Sequence, residues 1–454
     1  MTFAASKDRF AACAAALVGV EIWLQCFRIR GWEAAGARIL VLAAGAVALL
    51  LLRRLTPSPA APAESATRRR ILIALVSIGL AWNAAAGLIA VKHTILTGEI
   101  RMDQGQSTYR AAEGLWHGDD PYARDALLDP YGYLARLDAR IAAGVGPQVP
   151  DNTVSNALWS YWGNMDRALR AQLLPRAPPG AGAAALRETE IMGYKYGPLP
   201  VLLTSLLTPL LGPLAVTAEN FALVAVLLLL LWRIIRASGL PDDFARLAFA
   251  GVLAEHFVNW YYLHFSNSDI WPLAFCALAV LAYLRGWNAT LGLALGLALA
   301  AKPFPSLLYL PLIVTARSWR AAAICCVAAA ALLVPFALWD WPGFANNYLL
   351  WSALMLPDET SWISRVPFGV AWILRGLIAA GLVALYLRLM LGWETRLFWT
   401  LALTNLATVA AGTVIHNNYV PWFSIWLPLA LAEAFAPTPR RGTIALGQAP
   451  VAPL

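Results

Sequence analysis

Charge is scarce in this sequence: only 13% of its 454 residues are Asp, Glu, Lys or Arg, about half the share usual in a soluble domain. With 60% hydrophobic residues and a mean hydropathy of +0.61, that shortage excludes an ordinary soluble protein and points to a polytopic membrane protein. Cysteine is sparse too. Cys13, Cys276, Cys325 and Cys326 lie within apolar runs and Cys26 ends one, none in a CxxC or His-spaced pattern, so they read as small core hydrophobes rather than disulfides or metal ligands. Catalytic signatures are missing as well: there is no HExxH, GxSxG, P-loop or Rossmann glycine pattern in a credible context, so no nucleotide is expected. No internal repeat of the kind common in transporters is visible, and no removable signal peptide is read at the N-terminus. Lysine is almost absent: of 34 basic residues only Lys7, Lys92, Lys195 and Lys302 are lysine.

What is present is a series of apolar stretches. A helix needs roughly 20 apolar residues to cross the hydrocarbon, fewer where the bilayer thins. Spans are expected near 10–28, 36–52, 71–91, 217–235, 244–263, 270–284, 288–302, 304–316, 321–338, 367–388, 397–413 and 421–435, about twelve in all. The segment 198–214, "PLPVLLTSLLTPLLGPL", is read as re-entrant or interfacial, because counting it as a span would reverse the side of every later loop. Without it, Arg53/Arg54/Arg68/Arg69/Arg70, Arg233/Arg236/Arg246, Arg285, Arg317/Arg320, Arg388/Arg396 and Arg440/Arg441 all fall on one side, which the positive-inside rule makes cytoplasmic. Arg28, Arg30 and Arg38 dissent. The net charge of +8 therefore reflects orientation in a cell membrane and its lipids rather than nucleic acid, since no continuous basic face forms. The organisation that follows is an N-terminal hairpin and Pro/Ala-rich linker (1–70), a main membrane domain (71–435) with an outer loop at 92–197, and a cytoplasmic tail (436–454).

The outer segments hold most of the unusual polar residues. Asp103 follows the span 71–91 in "IRMDQGQSTYRAAEGLWHGDDPY". It is either a solvated loop carboxylate or helix N-cap, or a general base placed immediately above the membrane, where an ionised carboxylate is costly unless solvated or partnered. Lys195, in "GYKYGPLP", is either a snorkelling interfacial lysine between belt tyrosines or a compact ammonium that stabilises an anionic phosphate leaving group. Lys302 and Arg365 are suited either to a lipid phosphate or to helix ends. His416 and Asn417, with Asn418 and Tyr419, make a hydrogen-bonding patch that could hold sugar hydroxyls or be structural. "GDDPY", with Asp125 and Asp129 beyond it, offers a divalent-metal possibility, but the same pattern makes an ordinary turn. No cofactor is expected.

Taken in order, the aspartate soon after an in-to-out span, then "GDDPY", "YKYGPL", "NSD" at the next outer tip, a "KP" after the following hairpin and a late "HNNY" resemble bacterial GT-C fold glycosyltransferases. They are most similar to the family that uses polyprenyl-phosphate-linked sugar donors, glycosyltransferase family 87. The resemblance covers roughly 71–435 and leaves the first hairpin as an addition. It implies an all-α, GT-C-like bundle of about 12 transmembrane helices. It also implies inverting transfer of a sugar, mannose-like, from a polyprenyl-phosphate donor to a hydroxyl of a lipid or glycan acceptor at the extracytoplasmic face. Asp103 maps onto the catalytic aspartate, with Lys195, Lys302 and Arg365 on the donor phosphate. Tyr109, Asp119, Tyr122, Tyr194, Tyr196, Asn267, Asp269, His416, Asn417 and Tyr419 become candidates for sugar or acceptor contact. Where the family has Tyr-Pro-Pro, this chain has Tyr196-Gly197-Pro198, which leaves the sugar open. A non-enzymatic transporter or flippase of lipid-linked saccharides is the alternative, and would need a continuous polar path through the spans.

Overall fold

The computed structural model describes residues 66–122, 194–350, 397–410 and 419–435, with short breaks at 99, 102, 241 and 256–257 and scattered positions between 370 and 381. The expected spans 10–28 and 36–52, most of 367–388 and of the linker 55–67, the loop residues 123–193, Arg365, His416, Asn417 and the tail 436–454 lie outside the described residues.

Among the described residues the chain is helical and contains no strand. The principal helices are α1 (Ala66–Thr97), α2 (Asp103–Trp116), α3 (Pro198–Leu211), α4 (Leu214–Ala237), α5 (Asp242–Leu253), α6 (Ile270–Arg285), α7 (Asn288–Ala301), α8 (Trp319–Trp339), α9 (Leu397–Ala410) and α10 (Leu427–Phe435). Three of them, α1 from Arg69 onward, α4 and α8, are long and apolar enough to cross a membrane. Their outer faces are bare hydrocarbon: Ile78 is 65% exposed, Trp82 59%, Val327 69% and Leu338 82%. Water would penalise such faces and lipid would not.

Two expected spans are broken. The stretch 244–263 is divided into α5 and a π-helix, Val258–His264. At the break the Glu255 carboxylate accepts the Val258 backbone N–H at 2.5 Å and the Ser424 hydroxyl at 2.7 Å. The carbonyl of Leu253, left over where α5 ends, accepts from the Asn83 amide of α1 at 3.0 Å. Polar side chains thus satisfy backbone groups that a continuous helix would have paired internally. The stretch 304–316 is likewise split into Pro303–Ser306, a 3₁₀ turn at Leu307–Tyr309 and Pro311–Thr315. Pro303, Pro305 and Pro311 lack the N–H that each successive turn would need. α3 has 14 residues and so reaches only about 21 Å, short of the roughly 30 Å hydrocarbon thickness.

The core is a row of helices in which α4 packs on α6, α6 on α7 and α7 on α8. The α7–α8 contact is made by small residues. A Cβ on Gly292 would come 2.3 Å from the Ala321 carbonyl oxygen, and one on Gly296 2.7 Å from that of Cys325. Gly292 and Gly296 are one helical turn apart and let two backbones touch, the arrangement by which helices associate where no hydrophobic effect drives them. Cys276 and Cys325 are buried free thiols, in keeping with packing roles, whereas Cys326 is exposed.

The bundle has two unlike ends. Arg236 and Arg246 pair with Asp242, and Arg69 at the start of α1 adds its field to the same carboxyl, which is held below the usual carboxylate range first by the Arg236 hydrogen bond. At the opposite end Thr94 of α1 meets Thr217 of α4 at 3.0 Å, and Ser266 reaches Thr217 at 3.3 Å.

Candidate functional site

The tip between the π-helix and α6, Phe265–Asp269, is held from several sides at this second end. Asn220 of α4 donates to the carbonyls of Tyr262 and Asn267 at 3.1 and 2.8 Å. Ser266 takes a left-handed backbone (φ 58°), which a non-glycine residue adopts only when its surroundings impose it. The Asn267 side chain accepts the Asp269 backbone N–H at 2.7 Å, closing a turn. Ser268 joins Thr108 of α2 at 2.7 Å. α2 descends so closely on this tip that a Cβ at Gly105 would lie 2.4 Å from the Ser266 carbonyl oxygen. The first turn of α2, which Asp103 opens, therefore rests on the tip that carries Asp269; the Asp103 side chain itself lies outside the described atoms.

Asp269 is fully buried, and Lys302, at the end of α7, donates to it at 2.5 Å with only 14% of its side chain exposed. Three rings surround the ammonium: Tyr196 at 4.6 Å, Tyr419 at 5.1 Å and Trp422 at 5.2 Å from the ring centres. Carboxylate and rings together replace the water that a buried ammonium loses.

Tyr196 arrives on a strap, Tyr194–Gly197, which leads into α3. Gly197 donates to the Ala301 carbonyl at 2.7 Å. A Cβ there would lie 1.9 Å from the Ala300 carbonyl oxygen, so this close approach admits only glycine. Lys195 is half-buried between the two tyrosines. Tyr194 is buried, its hydroxyl 3.2 Å from Thr108. Burial pushes its phenol well up, with the nearby carboxylates Glu219 and Asp269 adding and the Thr108 contact opposing. Tyr122 is buried at the far end of the GDDPY turn and donates to the Tyr196 carbonyl at 2.7 Å. Its phenol too is raised, first by burial. Both hydroxyls stay protonated at physiological pH, and that of Tyr122 acts as a donor. The Tyr122 ring packs edge-on against Phe336 and Phe344 at 5.8 and 5.1 Å, which joins the turn to α8 and the residues after it.

No family model, no curated protein and no solved structure matches this chain.

Of the residues singled out by sequence, the fold gathers Tyr122, Tyr194, Tyr196, Asn267, Asp269, Lys302 and Tyr419 into one polar end, with Lys195 on its rim. Tyr109 and Asp119 stand apart. Tyr109 packs with Ile100 and Val216 and donates to Glu113 at 2.8 Å, and burial raises its phenol to about 12. Asp119 is exposed at the end of α2. Its neighbour Asp120 accepts the Tyr122 N–H at 2.9 Å, the ordinary turn that "GDDPY" suggests. Among the described residues no group of three or more His, Cys, Asp or Glu side chains gathers as a metal site. Thr108, Ser268, Asn220 and Trp422 complete the site and were not singled out. Asn220 carried a local signal as an amide inside an apolar run, and Ser268 as the middle residue of "NSD".

Proposed function

We propose that the chain is an integral-membrane glycosyltransferase of GT-C type, with about twelve spans, that moves a mannose-like sugar from a polyprenyl-phosphate donor to an acceptor hydroxyl at the extracytoplasmic face of a bacterial cell membrane. One observation supports this most directly. The start of α2, the strap with Lys195, the Asn267–Asp269 tip, Lys302 and Tyr419 meet at a single end of the bundle, opposite the arginines around Asp242. A donor whose tail stays in the bilayer presents its sugar at that depth.

In the proposed reaction the acceptor oxygen bonds to the anomeric carbon from the face opposite the phosphate. The carbon–phosphate oxygen bond breaks, polyprenyl phosphate leaves, and Asp103 takes the acceptor proton. Lys195 on the strap, together with Arg365, supplies positive charge for the departing phosphate, and the N-terminus of α2 adds its partial charge. Lys302 with its three rings holds the floor of the site rigid.

The alternative, a carrier of lipid-linked saccharides, draws on Glu219, buried among the helices, and on the half-buried Glu255. Both are engaged locally, Glu219 with Thr204 at 2.6 Å and Glu255 with Ser424 and the Val258 N–H.

The deciding experiment gives the purified protein, in lipid vesicles, radiolabelled polyprenyl-phosphate sugars and a crude membrane acceptor fraction. Transfer of label to acceptor is expected, and Asp103→Asn should lower turnover by roughly 10² to 10⁴, the loss typical of a missing base. An Asn variant that turns over like the wild type would reduce Asp103 to a helix cap, since Asn caps about as well as Asp. Label that crosses the bilayer without being transferred would favour the carrier.

A further inference from the structure

A cavity of about 570 Å³ runs along the side of the bundle between α1 and α4, floored by Phe249 of α5 and by Leu263. Along α1 it reaches from Ile73 to Ala84, about 16 Å at 1.5 Å per residue, or half of the roughly 30 Å hydrocarbon and so one leaflet's depth. Its two ends differ. Toward the Lys302 end α1 and α4 close together: the Phe221 ring lies so near Gly87 that a Cβ there would come within 2.2 Å of it. Toward the other end the groove opens on Arg246 and on Trp232, whose ring is tilted against that of Phe249 with centres 5.2 Å apart and carries the Arg236 guanidinium 5.8 Å above it. Arg69, Arg70 and Arg233 belong to the same end, against Asp242 and Asp243, so positive charge is in excess where the groove opens.

We infer that this groove seats one acyl chain of an anionic phospholipid from the leaflet at the arginine-bearing end, with its phosphate at Arg236 and Arg246. The lining is nearly all aliphatic and aromatic, which suits a hydrocarbon chain. The closure at Gly87 and Phe221 denies entry from the opposite leaflet. The indole and guanidinium groups at the mouth are those that favour the boundary between hydrocarbon and an anionic headgroup layer. The site is separate from the proposed transfer chemistry and depends only on α1 and α4 lying in a membrane.

The test is native mass spectrometry of the full-length protein, delipidated in detergent and titrated with dioleoyl phosphatidylglycerol or dioleoyl phosphatidylcholine. One phosphatidylglycerol should be retained in preference to phosphatidylcholine. Arg236→Gln with Arg246→Gln should weaken retention roughly thirtyfold, about fivefold for each arginine near an anionic headgroup. Ala225→Trp, at an exposed groove position, should abolish it by filling the space. If either variant is unstable, wild-type protein in phosphatidylglycerol vesicles carrying a photoactivatable acyl chain serves instead, and the cross-link should fall within 73–84 or 221–232, or on Phe249 or Leu263. Equal retention of the two lipids, undiminished retention in Ala225→Trp, or a cross-link confined to positions that do not line the groove or to a second protein copy would overturn the assignment.

Discussion

Lys302 and Asp269 are buried deeply enough that each charge depends on the other. Replacing Asp269 with Asn leaves an ammonium among three rings without its carboxylate, and replacing Lys302 with Met leaves the reverse. Breaking a buried pair from one side typically costs about 3–5 kcal/mol, while removing both charges costs much less. Each single variant should therefore lower the thermal midpoint in detergent well below that of the wild type, and the double variant should recover much of the loss. A single variant as stable as the wild type would show that water reaches the pair. Asp120 behaves differently. Its carboxyl is raised above the usual range by burial, with the Tyr122 N–H opposing and Asp340 adding to the rise, and one of its oxygens is buried without a hydrogen-bond partner. A carboxyl so raised favours the folded state when protonated, a contribution fully present below its unfolded pKa and lost as pH rises through the folded value. Asp120→Asn should accordingly raise thermal stability at neutral pH, and the gain should shrink on acidification toward the ordinary carboxylate range. A gain that did not change with pH would argue against this cause.

At the scale of elements, the decisive contacts are backbone approaches. α7 and α8 meet through Gly292 and Gly296, where the two backbones come into direct van der Waals contact. Gly296→Leu must push α8 away from the Cys325 carbonyl. Overpacking of this kind costs typically about 1–3 kcal/mol, and because α7 ends at Lys302 the ring cage should loosen with it. Thermal unfolding of that variant beside Leu293→Ala, which alters an exposed position of the same helix, separates the two effects: the first should unfold earlier and the second should not. Equal midpoints would mean that the interface yields without cost. The broken helices belong to this scale as well. Three prolines in thirteen residues announce the interruption after Lys302, whereas the break at Glu255 carries no such mark in the sequence. It depends on Ser424, Val258 and Asn83 being present to satisfy what the break exposes.

For the whole molecule, polarity of the two ends is the property that the proposed function needs. α6 runs from the Asp269 tip to Arg285, and the exposed His117 directly follows α2 on the Lys302 side. Single cysteines at His117 and Arg285, in a background lacking the native cysteines, should be labelled from opposite sides of sealed vesicles by a membrane-impermeant maleimide. The Arg285 position should face the cytoplasm, where short arginine-bearing loops are retained. Labelling of both from one side would remove the basis for placing any lipid-linked chemistry at the Lys302 end.

Local pattern alone determined that this chain is helical and bears faces suited to lipid. Apolar run length and the scarcity of charge are additive properties of neighbouring residues, so α1, α4 and α8 were legible, as were the turn at "GDDPY" and the glycine-proline entry to α3. Candidate residues such as Lys195, Lys302, Asp269 and Tyr419 could be picked out because polar groups at the edges of apolar runs are costly and therefore conspicuous. Which of them stand together was decided only by the tertiary structure. Lys302 finds Asp269 across 33 residues, and the cage around it takes one ring from the strap before α3 and two from the segment before α10. That meeting depends on how closely glycines 105, 197, 292 and 296 let distant backbones approach, and such distances are fixed by packing between helices, which no stretch of sequence contains by itself.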